Sequence, residues 1–126
     1  MTMRESGEMY LETIYILSQE SSAVRGIDVG EYMGFSKPSV SRAIGLLKKD
    51  GFVIIDGQGS IKLTETGEEK AKRIYERHLL LTQLFINLGV DEKTAAEDAC
   101  RIEHYLSDAT FDAIKNHVKK YGKKNV

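Results

Sequence analysis

Cys100, Glu103 and His104 stand at i, i+3 and i+4 in the run Cys100-Arg101-Ile102-Glu103-His104. On a helix this spacing sends a thiol, a carboxylate and an imidazole from one face within one turn. Sulfur, oxygen and nitrogen donors together suit a borderline-soft transition metal rather than magnesium or calcium. Cys100 is also the single cysteine of the chain. The competing reading is a small buried thiol beside a solvated Glu-His pair. A metal site therefore needs donors from elsewhere. Met9 and Glu12 lie one turn apart on a predicted first helix, and His78 lies on a predicted long helix. Taken singly, Met9 reads as a core methionine and His78 as a surface or capping histidine. Taken with Cys100, Glu103 and His104, they are the groups a site between three helices would use.

The elements that would position these groups follow from apolar periodicity and punctuation. Met9, Tyr10, Ile14, Ile16 and Leu17 predict a helix over residues 5–20. Ile27 to Met33 is a second, short helix, ended by Gly34. Ser36 caps a third, with Pro38 in its first turn and Val40, Ala43, Ile44 and Leu47 as its inner stripe. Two β-rich runs, Phe52 to Ile55 and Ser60 to Thr64, flank the hairpin-turn sequence Asp56-Gly57-Gln58-Gly59. Thr66 is read as the cap of a long helix that Gly89 terminates. A further helix is expected over 91–106, and Asp108 as the cap of a last one reaching Tyr121. Gly122 to Val126 reads as a frayed tail.

Helix, helix, helix, hairpin, then three helices predicts a mainly α chain that opens on a winged helix-turn-helix with one β-hairpin wing. The expected division is a winged unit over 1–65 and a helical unit over 66–126, with the first helix packed between them. The recognition helix begins Ser36, Lys37, Pro38, Ser39, Ser41, Arg42. Short hydroxyls and cations at that place contact phosphates and reach base edges, and arginine can pair bidentately with guanine. Gln58, Ser60 and Lys62 of the wing are expected on the DNA backbone or minor groove. A protein-binding winged helix is the alternative.

Charge supports that assignment. The chain carries a net charge of −1, unevenly spread. Lys37 to Lys62 holds five basic residues against Asp50 and Asp56. Asp91 to Asp112 holds seven acidic residues against Lys93 and Arg101, and Glu5 to Glu20 has four glutamates with no Lys or Arg. A basic middle suits an anionic partner, and acidic flanks suit a cation. No apolar run is long enough to span a membrane, and the first residues lack a signal-peptide core. A lone thiol persists best in a reducing compartment, so a cytoplasmic location is expected. There is no His-Glu-x-x-His, glycine-rich phosphate loop or serine-histidine-acid pattern, so no catalytic residue and no small organic substrate are expected.

Met9-Tyr10-Leu11-Glu12, Lys37-Pro38-Ser39-Val40-Ser41, Leu63-Thr64-Glu65-Thr66-Gly67, Glu76-Arg77-His78 and Ile102-Glu103-His104-Tyr105-Leu106-Ser107-Asp108 occur in this order around the winged helix and the long helix. Together they resemble the diphtheria-toxin-repressor family of metal-dependent transcriptional repressors, over roughly residues 8–115. A chain of this length resembles the short, manganese-sensing branch; the iron-sensing branch carries an additional small β-barrel domain. The ligand types resemble the iron-sensing branch, which has methionine and cysteine where Met9 and Cys100 stand. The manganese branch has aspartate and glutamate there.

The resemblance implies a primary site of Met9, Cys100, Glu103 and His104, a second-site ligand at His78, and a short-branch ligand at Glu12. Thr82 and Ala96 replace other second-site ligands, so one strong site is expected. Thioether and thiolate donors tilt the expected cofactor to Fe(II), with Mn(II) next; Co(II), Ni(II) or Zn(II) would substitute in vitro. The backbone carbonyl of Cys100 is an alternative ligand to its thiol. The expected function is repression of metal-uptake genes by a homodimer on a palindromic operator, since one winged helix reads too few base pairs alone. Leu81, Leu84, Phe85, Ile86, Leu88, Phe111, Ile114 and Val118 are expected to form the dimer surface. A metal-independent winged-helix regulator and a thiol redox regulator using Cys100 are the competing functions.

Overall fold

The structure is a computed structural model and describes residues 5–121; the tail read as frayed lies outside the described residues. Among the described residues there are six helices and one two-stranded sheet: α1 (Glu5–Glu20), α2 (Gly26–Met33), α3 (Lys37–Lys49), β1 (Val53–Ile55), β2 (Ile61–Leu63), α4 (Glu65–Asn87), α5 (Glu92–Ile102) and α6 (Asp108–Tyr121). The mainly α winged helix-turn-helix followed by helices is therefore the observed architecture. The chain forms two compact units that divide within α4, between Arg73 and Ile74.

In the first unit α1 packs on α2, α3 and β2. Ser36 accepts a hydrogen bond from the Ser39 amide, and Pro38 occupies the first turn, where no intrahelical partner is lost. Val40, Ile44 and Leu47 recur at helical spacing and are buried, which fixes α3 with its opposite face outward. The strands pair antiparallel in the register Val53 to Leu63, Ile54 to Lys62 and Ile55 to Ile61. Val53 and Ile61 face the core, while Ile54 and Ile55 are exposed. The Ile61 amide also bonds the Val24 carbonyl at 2.7 Å, tying the hairpin to the loop before α2.

The helix starts differ from expectation at two places. The α4 cap is Thr64, whose hydroxyl accepts from the Gly67 amide at 3.0 Å, and not Thr66. The α6 cap is Ser107, which accepts from the Thr110 amide at 3.1 Å, and not Asp108. At both sites two cap-type residues lie close together, and the backbone path selects one. Gly89, at a φ of 105°, closes α4 as expected, a conformation that costs glycine nothing. In the second unit Leu81 and Phe111 are buried within the chain's own core, which removes them from the expected dimer surface. Leu88 is exposed.

Candidate metal centre and nucleic-acid interface

Helix α5 opens on Asp91, whose carboxylate accepts from the Thr94 amide at 3.0 Å. That backbone N–H, followed by the Thr94 hydroxyl, holds the Asp91 carboxyl below its ordinary titration range. Ala95 and Ala99 are buried on the helix's inner face, and Glu103 continues the same i, i+4 row. The helix stops at Ile102, earlier than expected. Glu103 keeps helical backbone angles and bonds the Ala99 carbonyl through its amide. The Tyr105 amide turns back to the Ile102 carbonyl at 3.0 Å, so His104 projects from a tightened turn rather than from the helix.

Glu103 is 0% exposed, and both of its oxygens face imidazoles. His104 Nε2 lies 3.1 Å from Oε1, and the His104 side chain is 2% exposed. His78 Nδ1, carried by α4, lies 3.1 Å from Oε2. The His78 ring stacks on Tyr75, with centroids 6.5 Å apart. A carboxylate without water is costly unless hydrogen-bonded, and the His78 imidazole meets part of that need at Oε2. Each imidazole thus brings a nitrogen beside one Glu103 oxygen, and oxygen and nitrogen donors of these kinds fit a divalent transition metal.

The remaining predicted donors lie on α5 and α1. Cys100 is half-buried on α5, one helical turn before Glu103. Met9 and Glu12 lie on α1 in the first unit, Met9 half-buried and Glu12 buried. Thr82 is turned back to its own helix, its hydroxyl bonding the His78 carbonyl at 2.7 Å. Sequence reasoning assigned no role to Arg77. Its guanidinium donates to the carbonyls of Glu103 at 3.2 Å and Leu106 at 3.0 Å.

In the first unit Ser36, Lys37, Pro38, Ser39, Ser41 and Arg42 are all exposed at the start of α3. Gln58 is exposed at the wing tip. Ser60 is not: it is 3% exposed, and its amide bonds Asp56 inside the hairpin. Lys62 bonds the Ser22 carbonyl, so its ammonium tethers the wing to the loop after α1. Ser60 closes the turn ahead of β2, its amide on the Asp56 carboxylate and its carbonyl accepting the Asp56 amide at 3.0 Å, which keeps it inside while Gln58 at the tip is exposed. Sequence reasoning passed over Arg25 and counted Lys48 only within the basic middle of the chain. With Lys37, Ser41, Gly45 and Ile55 they line a groove of about 980 Å³ beside the recognition helix.

The first unit is thus a winged helix-turn-helix with a cationic recognition helix, and the second holds a buried carboxylate flanked by two imidazoles. Residues 2–61 match the N-terminal DNA binding domain of the iron dependent repressor, and residues 64–124 match its metal binding and dimerisation domain. The chain belongs to this family of metal-dependent transcriptional repressors. It is 33% identical over 121 residues to an uncharacterized HTH-type transcriptional regulator of Methanocaldococcus jannaschii, covering 94% of this chain and 97% of that one. It is 34% identical over 116 residues to the HTH-type transcriptional regulator MntR of Bacillus subtilis, covering 92% and 82%. A solved manganese-dependent transcriptional repressor complex with manganese superposes with a TM-score of 0.81 at 28% identity, over 90% of this chain and 52% of that one. The manganese regulator SloR superposes with a TM-score of 0.80 at 28% identity, over 94% and 55%. The chain thus spans about half the length of these solved regulators.

Proposed function

We propose that this chain represses metal-uptake genes by binding a palindromic operator as a homodimer when loaded with a divalent metal, Fe(II) in preference to Mn(II). The observation that carries the reading is Glu103, 0% exposed and met by His78 and His104 at 3.1 Å each. Glu103, His104 and His78 hold the metal, and Met9, Glu12 and Cys100 complete the set that the family pattern implies. A bound dication supplies positive charge among these carboxylates and favours the DNA-competent arrangement by its differential affinity for it.

Each residue has a role in that scheme. Glu103 and His78 join α4 to the turn after α5. Ser36, Lys37, Ser39, Ser41 and Arg42 meet phosphates and base edges, Pro38 sets the start of α3, and Gln58 reaches the DNA from the wing. Ser60 shapes the wing from inside, and Lys62 tethers it to the loop after α1. Sulfur at Met9 and Cys100 favours Fe(II), whereas the names MntR and SloR support Mn(II) as the next candidate. Among the described residues no helix is long and apolar enough to cross a membrane. A cytoplasmic regulator without catalytic activity is the reading that fits the family.

The test has two arms. Duplexes selected from a random pool by the Mn(II)-loaded chain are used in anisotropy titrations with Fe(II), Mn(II) or chelator, under anaerobic conditions. Tight binding that chelator abolishes, and that His104→Ala loses while keeping its helical circular dichroism, is the expected result. Equal affinity with and without chelator overturns the proposal in favour of a metal-independent regulator. An anaerobic Co(II) titration with Cys100→Ala alongside then reads the ligand type. A sulfur charge-transfer band in the wild type alone supports the iron-type site, and identical spectra move the assignment to manganese.

A further inference from the structure

We propose that Arg77 is the positioning residue of the metal centre, fixing the turn that presents Glu103 and His104. The inference rests on the reading of that cluster as a metal centre. Where α5 ends at Ile102, the last carbonyls lose their intrahelical partners. One Arg77 nitrogen donates to the Glu103 carbonyl at 3.2 Å and to the Leu106 carbonyl at 3.0 Å. These two carbonyls bracket His104. The other nitrogen pairs with the Asp108 carboxylate at the start of α6. The guanidinium carbon lies 5.0 Å from the centre of the buried Phe111 ring. The side chain is only 12% exposed.

One guanidinium therefore clasps both ends of the turn and the first turn of the next helix. Its planar fork of five donors is suited to this; an ammonium, a point charge with three rotatable donors, cannot reproduce it. Arg77 also precedes His78, so adjacent residues of α4 hold the turn by its backbone and Glu103 by its carboxylate. A turn held at the backbone keeps Glu103 and His104 in place before a metal arrives. Without the clasp the same donors remain, but they must be ordered on binding.

The experiment is a Co(II) titration of the full reduced chain, wild type against Arg77→Met, Arg77→Lys and Lys115→Met. Lys115 bonds Glu76 at 2.5 Å, tying α6 to α4 without touching the turn. Arg77→Met is expected to bind Co(II) about 10- to 100-fold more weakly, the scale of losses when a ligand's supporting partner is removed. Arg77→Lys falls between it and the wild type, and Lys115→Met binds as the wild type does. The Co(II) spectrum at saturation stays that of the wild type, because no ligand is lost. Should Arg77→Met fail to fold by circular dichroism, Arg77→Lys decides the matter. Wild-type affinity in the folded Arg77 variants, or an equal loss in Lys115→Met, overturns the proposal. A wild-type chain that takes up no Co(II) overturns the metal reading itself, a different outcome.

Discussion

Two helical glycines should respond to alanine with opposite signs. Gly67 lies in the first turn of α4, and a Cβ built there would meet the Phe52 carbonyl oxygen at 1.9 Å. Reaching van der Waals contact means opening that gap by roughly 1 to 1.5 Å. The Phe52 carbonyl is not loose, since it accepts the Thr64 amide at 3.0 Å. Moving it weakens that bond, worth about 1 kcal/mol, and adds overpacking strain of about 1–3 kcal/mol. The gain from alanine in a helix, about 1 kcal/mol, offsets only part of this. Gly67→Ala should therefore destabilise the metal-free chain by about 2 kcal/mol, lowering its melting temperature by roughly 5–10 °C. Gly45, midway along α3, has nothing within 4 Å of its would-be Cβ. Gly45→Ala should stabilise by about 0.5–1 kcal/mol. Urea denaturation of both variants beside the wild type measures the pair. A Gly67→Ala variant as stable as the wild type would refute the close approach of α4 to the start of the wing.

Asp56 accepts the amides of Gln58 and Ser60 at 2.9 Å each, and these two bonds, Ser60's first, lower its pKa from 3.8. A depressed folded pKa means the contribution to wing stability is complete above the unfolded value and fades as pH falls through the lower, folded one. Amide proton shifts of Gln58 and Ser60 should thus hold steady down to about pH 4, moving only in stronger acid; movement near pH 6 would contradict the bonding. Ser36→Ala removes the α3 cap and should cost about 1 kcal/mol in thermal unfolding. It should also weaken DNA binding by the metal-loaded chain, and unaltered stability would mean that the 3.4 Å cap bond contributes nothing.

What the sequence made legible was whatever rests on local chemistry. The stripe Val40, Ile44, Leu47 and the glycine stop at Gly89 declare their helices because periodicity and punctuation are short-range. Adjacent alternatives were not separable in the same way. Thr64 and Thr66 both have cap chemistry, as do Ser107 and Asp108, and only the chain's approach to the helix decides between them. The same holds at the end of α5. Cys100, Glu103 and His104 have helical spacing on paper, but the helix stops at Ile102, and His104 is delivered by a turn. The pairing of Glu103 with His78 spans 25 residues and that of Arg77 with the Glu103 carbonyl 26, beyond any periodic signal. Ser60 shows the converse limit. Its polar side chain suggested a DNA contact, yet Asp56 holds its backbone across the turn and the residue is buried.

The wing's anchoring bears on how a regulator of this kind can be controlled. Its hairpin is held by the Val24 carbonyl to Ile61, by Asp56 across the turn, by Lys62 on the Ser22 carbonyl, and by Thr64 bridging the Gly51 carbonyl and the Gly67 amide. The wing shares these tethers with the loop before α2 and the start of α4. A hairpin tied at so many points has few low-energy alternatives to switch into, since each alternative leaves backbone groups without partners. Under the proposed function, metal therefore has little to gain by reshaping the winged unit. Its leverage is greatest where donors come from separate elements, as the turn carrying Glu103 and His104 and the helix α4 carrying His78 are. In a homodimer the quantity left to adjust is the spacing of two preformed recognition helices, which a palindrome reads with a tolerance set by the pitch of DNA.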